Sequence, residues 1–327
     1  MRKHAYFFLA MIIMVLVLPL ILSSFGTNLA TEIFFMAVFA LSLGLIMGYT
    51  GLVSLGHAAF FGTGAYTVAL LGEHIGNTYV LLLAALVFSG LLALISGALF
   101  IRTTGGYFLM ITLAFGQMLF AFAFKMKSWT GGADGMQISV SPDFGFGPIT
   151  STHGLYYLAG VGFLLCYLLL LLFVNSPIGK IVKGIMENET RMKALGYQTR
   201  NYKLIAYSLS GTLAGFGGAL YAFINSFVSP DLMFWIFSGQ ALIMVIVGGA
   251  GTLLGPVVGV VFFIILQNYV SSYTERWQLI MGIIFVAFVL YGRGGIVQLV
   301  SSLWEKRPGK GEDANVAVEN AKNKQIV

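Results

Sequence analysis

Long apolar runs, separated by short polar turns, are the feature that most limits what this chain can fold into. Of its 327 residues, 58% are hydrophobic and only 9% are charged, whereas soluble proteins carry about 25% charged residues. A membrane helix needs about 20 apolar residues, so the apolar total is enough for about ten crossings. A soluble core of this size could not bury so much apolar surface. The composition therefore predicts a polytopic membrane protein and excludes an ordinary soluble domain.

Ten apolar segments divide the chain, and two longer polar stretches, 125–154 and 175–203, interrupt them. The first segment begins as a signal peptide would, but no small-x-small cleavage site follows it, so we interpret it as an anchored helix. We expect a transmembrane domain over 1–304 and a disordered cytoplasmic tail of mixed charge over 305–327. The ten segments are 6–23, 30–49, 52–71, 79–101, 107–124, 155–174, 204–228, 232–248, 255–271 and 278–292.

Basic residues are distributed very unevenly between the two sides of this arrangement. With the N-terminus inside, 15 of the 18 Lys and Arg residues fall in inner loops or the tail, and three fall outside. Cytoplasmic loops of membrane proteins carry such an excess. We therefore expect both termini and the 175–203 stretch in the cytoplasm, and the 125–154 stretch outside. The net charge of +6 is then a topology signal, and a nucleic-acid surface is not needed to explain it.

Glycine is unusually frequent, with 41 residues, against about 7% in average usage. In segment 204–228, small residues recur every four positions, a spacing that lets membrane helices approach closely. A transport path lined by exposed backbone is the alternative for that segment. Segment 232–248 is short for a bilayer, and helix-weakening residues follow it, which predicts a discontinuous helix of the kind that builds transporter sites. The glycines at this break that we assign to the translocation path are Gly248, Gly249 and Gly251.

Ionisable groups are scarce inside the predicted segments. The acidic residues before the tail, Glu32 among them, lie in loops or at segment ends, which disfavours a carrier driven by protons or sodium ions. His57 is the exception, because it lies well inside segment 52–71 and close to Ser54. It is either a hydrogen-bonded structural residue or part of the path, and without a Cys, Asp or Glu partner it is not expected to bind a metal. Cys166 lies in an apolar run and is expected to be packed.

The inner stretch 175–203 predicts a short amphipathic helix. A capping residue followed by proline begins it at 175–177, and Gly196 is placed to end it. Its apolar side chains fall roughly on one face. Two acid-first i,i+4 pairs support it, Glu187 with Arg191 and Glu189 with Lys193. Such a helix either lies flat on the inner leaflet or fits a groove in a cytosolic partner.

Six stretches of the chain carry recognisable motifs: 48–66, 130–135, 176–179, 187–197, 202–211 and 248–256. Together they resemble the branched-chain amino acid permeases of bacterial ATP-binding-cassette (ABC) importers. The resemblance runs from about residue 30 to residue 295, and its motifs occur in the family's order. The longer N-terminus and outer loop are more similar to the M-type subunit of that family than to its H-type partner.

The resemblance implies an all-α bundle of about ten transmembrane helices, some discontinuous, that works with partners. Each such permease pairs with a second permease, two cytosolic ATP-binding subunits and an extracytoplasmic substrate-binding protein. In agreement, the chain has no G-x-x-x-x-G-K-[ST] phosphate loop, so it is not expected to be an enzyme. The implied contact residues for the ATP-binding subunits are Glu187, Arg191, Ala194, Leu195 and Gly196, and those for the binding protein are Gly131, Gly132, Asp134 and Gly135.

The expected function is ATP-dependent uptake of branched-chain amino acids across a bacterial inner membrane, between two permease subunits, without a cofactor or metal of its own. A related importer of urea, short amides or another small polar solute is the alternative within the class, because the motifs do not separate these solutes. An ion-coupled carrier or a channel acting alone is the alternative from another class. The residues assigned to the path are Ser54, His57, Gly248, Gly249 and Gly251.

Overall fold

Each of the ten predicted apolar segments contains a helix in the computed structural model, which describes residues 2–145, 147–291 and 294–298. The predicted tail over 305–327 lies outside the described residues. The helices are α1 (Arg2–Ile21), α2 (Ser24–Thr50), α3 (Ala58–Gly72), α4 (Thr78–Phe100), α5 (Gly106–Lys125), α6 (Lys127–Thr130), α7 (Thr152–Asn175), α8 (Pro177–Glu187), α9 (Glu189–Ala194), α10 (Thr199–Asn225), α11 (Trp235–Gly248), α12 (Leu254–Ser271) and α13 (Trp277–Tyr291).

Polar side chains begin several of the long apolar helices. Ser23 precedes α2, Asn77 precedes α4 and Ser151 precedes α7. In each case the side-chain oxygen accepts a hydrogen bond from a backbone N–H of the first turn, at 3.0 to 3.4 Å. These bonds satisfy donors that have no partner inside the helix, so the start of each helix is set by a local residue rather than by hydropathy.

Five helices, α2, α4, α5, α7 and α12, are long and apolar enough to cross a membrane by length and composition. Helices α3 and α11 and parts of α1 and α13 are apolar but shorter. Large hydrophobic side chains are exposed on α4 and α5, among them Leu83, Leu91 and Met110. Exposed apolar surface of this kind is suited to lipid rather than to water. The prediction of an all-α polytopic membrane protein is confirmed.

The bundle has two ends that differ in what lies beyond the helices. At one end α8 and α9 connect α7 to α10, and we call this the α8 end. At the other, the strands β1 (Met136–Gln137) and β2 (Phe227–Val228) pair antiparallel and tie the loop after α6 to the loop after α10, and we call this the β end. Helix α10 has 27 residues, so it extends about 40 Å from the α8 end to the β end.

Helices α2 and α10 form the centre of the bundle. All residues of α2 from Phe34 to Ile46 are buried, and α10 packs against α2, α3 and α4. Glycine makes these contacts close. A Cβ atom at Gly218 of α10 would overlap the carbonyl oxygen of Phe61 on α3, and a Cβ at Gly64 of α3 would overlap a carbonyl oxygen of α10. The small residues of segment 204–228 therefore pack helices together, as predicted.

The third predicted segment, 52–71, is helical only from Ala58. Gly51 ends α2 in the left-handed conformation, with φ 73°, and the six residues before Ala58 form a largely buried non-helical stretch. The N–H of Ala58 donates to Ser238 Oγ of α11 at 2.7 Å, which holds this stretch against the bundle. The prediction of one continuous segment was wrong at its start, and His57 stands immediately before α3 rather than inside a helix.

The predicted break after segment 232–248 is present. Helix α11 ends at Gly248 and α12 begins at Leu254. The 14 residues of α11 rise only about 21 Å, short of a hydrocarbon core of about 30 Å. The turn between the helices packs directly on α2, because a Cβ atom at Gly48 would overlap the carbonyl oxygen of Ala250.

Gly218→Ala should destabilise the protein because its new methyl group must displace the backbone of α3. Overpacking of this kind costs about 1–3 kcal/mol, which should appear as a lower melting temperature of the purified protein in detergent. Gly239→Ala is the matched control, since Gly239 also lies within a helix and a Cβ atom there meets nothing within 4 Å. Equal melting temperatures for the two variants would contradict the close packing of α3 and α10.

Candidate functional site

The 175–203 stretch folds as α8 and α9, which pack against α2, α7 and α10. Ser176 begins α8, since its Oγ accepts a hydrogen bond from the N–H three residues ahead at 3.1 Å, and Pro177 occupies the first turn. Val182 and Ile185 are buried. The element is amphipathic, as predicted, and its apolar face is covered by the transmembrane bundle itself.

Two helices replace the single helix that the sequence predicts here. Asn188 has an extended backbone with φ −160° and ψ 95°, and its side-chain oxygen caps α9 by accepting from the N–H of Arg191 at 2.9 Å. Asparagine caps compete with helix continuation. Glu187 and Arg191 therefore lie on different helices, and no ion pair between them occurs in the described chain, so that predicted pair was wrong. Gly196 follows α9 in the left-handed conformation, with φ 88°.

Glu189 is the centre of an ion cluster that joins α9 to α10. The predicted pair with Lys193 is present, with Nζ 3.0 Å from Oε1. Lys203 of α10 adds a second contact, with Nζ 2.5 Å from Oε2, and the hydroxyl of Thr199 donates to Oε1 at 3.1 Å. The Lys203 side chain is only 6% exposed, so this ammonium group depends on Glu189 for its counter-charge.

The environment of Glu189 keeps its carboxylate charged. Partial burial by itself raises its pKa, but hydrogen bonds from Lys203, Lys193 and Thr199 outweigh that effect and lower the pKa to about 2, from 4.5. A lowered pKa means that the cluster stabilises the fold fully above about pH 4.5, and that this contribution is lost as the pH falls towards 2. The cluster is therefore constant at any physiological pH.

The surface of the α8–α9 element away from the bundle is open. The apolar side chain of Leu195 is 66% exposed, although it follows a helix that carries several charges. Met186 and Tyr197 of the same element are also exposed, and several exposed apolar side chains on one element are suited to a protein-binding surface. All the residues that the resemblance assigns to ATPase contact lie on this surface: Glu187, Arg191, Ala194, Leu195 and Gly196.

The candidate docking loop at the β end is shaped by three glycines. Gly131, Gly132 and Gly135 have φ values of 73°, 63° and 70°, which side chains with a Cβ rarely adopt. They fold the loop back on itself and leave Asp134 on the outside. Asp134 is 3.6 Å from the ammonium of Lys127, and both side chains are almost fully exposed, so the pair is weak. The charge of Asp134 is thus available to a partner, whereas the glycines set the shape of the loop.

Ser54 and His57 lie deep in the bundle rather than at a surface. The His57 Nε2 atom is 2.8 Å from Ser42 Oγ and 3.4 Å from Ser210 Oγ, and its ring stacks on Phe39. The side chains of Ser54 and His57 are both fully buried. Among the described residues, no group of three or more His, Cys, Asp or Glu side chains could hold a metal ion.

Gly248, Gly249 and Gly251 form the α11–α12 turn at the α8 end. Gly248 packs backbone to backbone, since a Cβ atom there would overlap the carbonyl oxygen of Gly255 on α12. Gly249 has φ 110°, and Gly251 is exposed, with nothing within 4 Å of a Cβ position. These glycines close a tight helical hairpin against α2, and only Gly251 borders open space.

A cavity at the β end is the feature that the sequence did not reveal. It has a volume of about 660 Å³ and lies between α2, α7, α10, α11 and α12; we call it the β-end cavity. Glu32 lines it, and this carboxylate is eight residues inside α2 because the helix begins at Ser24, earlier than predicted. The placement of Glu32 at a segment end was therefore wrong. The polar side chains that line the cavity are Asn28, Thr31, Glu32, Thr152, Tyr221, Asn225, Gln240, Gln267 and Asn268.

Comparison with known proteins places this architecture in a family. The family model described as "Branched-chain amino acid transport system / permease component" matches residues 25–289. The "High-affinity branched-chain amino acid transport system permease protein LivM" of Escherichia coli (strain K12) is 26% identical over 341 residues, with 95% of this chain and 80% of the relative covered. The protein of the same name from Salmonella typhimurium is also 26% identical, with the same coverage.

An archaeal protein extends the comparison. The "Probable branched-chain amino acid transport permease protein LivM" of Methanocaldococcus jannaschii is 23% identical over 302 residues, with 78% of this chain and 85% of the relative covered. No solved structure matches the chain. The family match spans the bundle from α2 into α13, together with the α8–α9 element and the β-end loops. The chain therefore belongs to the family of permease components of branched-chain amino acid transport systems.

Proposed function

We propose that this chain is a transmembrane permease subunit of an ABC importer and that it moves branched-chain amino acids across the membrane. The observation that carries the proposal is the open α8–α9 element, which is anchored to the bundle by Lys203 yet exposes Leu195. An element that is rigidly held on one side and open on the other is suited to receive a partner's motion. The family match and the names of the relatives supply the substrate class.

The energy for transport would come from partner subunits. The chain contains no phosphate loop of the G-x-x-x-x-G-K-[ST] type, so ATP would be hydrolysed by two cytosolic ATP-binding subunits. A second permease, identical or related, would complete the path, and an extracytoplasmic binding protein would deliver the solute. Selectivity would rest mainly with that binding protein.

The charge distribution supports one orientation in a bacterial inner membrane. The α8 end carries the basic stretch 175–203, and cytoplasmic loops are enriched in Lys and Arg. We therefore place the α8 end and both termini in the cytoplasm and the β end outside. The loop with Gly131, Gly132, Asp134 and Gly135 would then face the binding protein, with Asp134 offering an exposed charge.

The residues assigned to the path would act in two ways. Gly251 is exposed at the α8 end and would border the cytoplasmic opening, with Gly248 and Gly249 holding the turn in place. Ser54 and His57 are fully buried, with His57 against Ser42 of α2. They would shape the path without touching the solute. Movement of α9, passed to α10 through Glu189, would switch the path between its two open states.

Uptake of labelled leucine by the full complex in proteoliposomes tests the proposal directly. Transport should require ATP, the binding protein and intact hydrolysis by the ATP-binding subunits, and this chain alone should transport nothing. Transport by the chain alone would instead indicate a carrier or channel. A complex that imports urea or a short amide, and not leucine, isoleucine or valine, would retain the ABC mechanism and overturn the substrate class.

Leu195→Asp should detach the ATP-binding subunits without unfolding the permease. The side chain is 66% exposed, so the change should alter stability by no more than about 0.5 kcal/mol. Loss of a buried interface anchor should weaken association of the ATP-binding subunits by about tenfold or more, measured by co-purification and titration. Trp129→Asp is the control, since this exposed aromatic residue lies at the other end of the bundle. Unchanged association for Leu195→Asp would favour a helix that only rests on lipid.

Glu189→Gln should uncouple ATP hydrolysis from transport because it leaves the buried ammonium of Lys203 without its counter-charge. We expect faster hydrogen exchange across α9 and a loss of leucine uptake of about tenfold, with ATP-binding subunits still bound. The double variant Glu189→Gln/Lys203→Met removes the orphaned charge together with its partner, so it should recover much of the lost protection. Independent, additive effects of the two changes would contradict the ion cluster as the connection between α9 and α10.

A further inference from the structure

The β-end cavity is lined by many polar side chains although the helices that form it are largely apolar. Its carboxylate and carboxamide groups come from four helices: Asn28 and Glu32 from α2, Asn225 from α10, Gln240 from α11, and Gln267 and Asn268 from α12. Such side chains are costly against lipid and therefore face a water-filled cavity or another protein. The volume of about 660 Å³ is within the range of small-molecule sites.

Glu32 is the side chain in this cavity with the greatest need of a partner. It lies about 12 Å along α2 from Ser24, and it is half-buried. Within the described residues it makes no hydrogen bond and no ion pair. Among the described residues that line the cavity there is also no Lys, Arg or His to neutralise it. A carboxylate in this setting attracts a cation from outside the chain.

The remaining lining fits the other parts of an amino acid. The amides of Asn28, Gln240 and Gln267 have N–H groups that could donate to a carboxylate, and none of the three side chains is bonded elsewhere within the described chain. Phe35 and Phe263 line the same cavity and offer apolar surface to a hydrocarbon side chain. One cavity therefore presents a counter-ion for an ammonium group, amide donors for a carboxylate and a wall for an aliphatic chain.

We propose that the β-end cavity is a transit site for zwitterionic amino acids, in which Glu32 is the counter-ion of the substrate's ammonium group. The proposal rests on the proposed function for its substrate class. The cavity provides amides rather than a cation for the substrate carboxylate, so it would hold the solute loosely between release by the binding protein and passage through the membrane. The competing explanations are a cation of the second permease that pairs with Glu32, and a water-filled vestibule that binds nothing.

Cysteine accessibility separates these explanations in the full complex, in right-side-out membrane vesicles. The chain has one cysteine, Cys166, which is buried, so a new cysteine gives little background. Thr152→Cys and Ile224→Cys place a thiol at the cavity lining without removing a proposed ligand group. A cationic methanethiosulfonate should react with either thiol at least about tenfold faster than an anionic one, because a carboxylate in a low-dielectric cleft concentrates cations.

Glu32→Gln should remove most of this charge preference, and Glu275→Gln should not. Glu275 is an exposed acid between α12 and α13 that does not line the cavity, so it controls for the general surface charge. Glu32→Gln is nearly isosteric, and intact assembly of the variant complex on gel filtration would show that the change acts on the cavity. An unchanged preference in Glu32→Gln, or thiols that never react, would overturn the proposal.

Protection by ligands identifies what the cavity accepts. Leucine, and isoamylamine, which lacks the carboxylate, should slow labelling of both thiols, and 4-methyl-2-oxopentanoate, which lacks the ammonium group, should not. The protection should be lost in Glu32→Gln. Equal protection by the keto acid, or no protection by leucine, would overturn the proposed transit site. Either result would leave the proposed function intact, because leucine uptake by the complex would be unaffected. Failure of the proposed function would instead appear as a complex that does not import leucine at all.

Discussion

Backbone-to-backbone contact at glycine is the constraint on which the rest of this bundle depends. Apolar helices gain little from the hydrophobic effect when lipid is the alternative, so they associate through close packing. Gly218 brings α10 against α3, Gly48 brings α2 against the α11–α12 turn, and Gly248 brings α11 against α12. A methyl group at any of these positions would enter the partner's backbone. The helices are therefore held at fixed separations, and the polar groups between them, such as His57 and Ser42, meet at hydrogen-bonding distance.

Glu189 and Glu32, the two acids to which we assign functional roles, have opposite surroundings in this bundle. Glu189 is satisfied inside the chain, because Lys193, Lys203 and Thr199 all donate to it. Glu32 has no such donor among the described residues and borders open volume. In a low dielectric a paired carboxylate fixes structure, whereas an unpaired one is stable only if it takes up a proton or gains a cationic partner. The first therefore suits a rigid joint between helices, and the second suits a site for a passing cation.

Hydropathy predicted the ten membrane segments because an apolar run of about 20 residues has few other folds open to it. Sequence patterns failed where a single residue overrides them. The i,i+4 charge pairs predicted one continuous helix in 175–203, but Asn188 divides it in two because its side chain caps the second helix. The first turns of α2 were missed because they contain polar residues, of which Asn28 lines the β-end cavity. Lys203 lies 14 residues from Glu189, beyond the reach of any local spacing rule.

Helix α10 connects the two ends of the molecule in a single uninterrupted element. Lys203, in its first turns, is bound to Glu189 of α9, and Tyr221 and Asn225, in its last turn, line the β-end cavity. Coupling between distant sites requires a physical element that both sites bias. Glycines pack α10 directly against α3 and α4, so we expect a displacement of α9 to move α10 together with these neighbours. Such a movement would reach the cavity, because Tyr221 and Asn225 lie about 27–33 Å along α10 from Lys203.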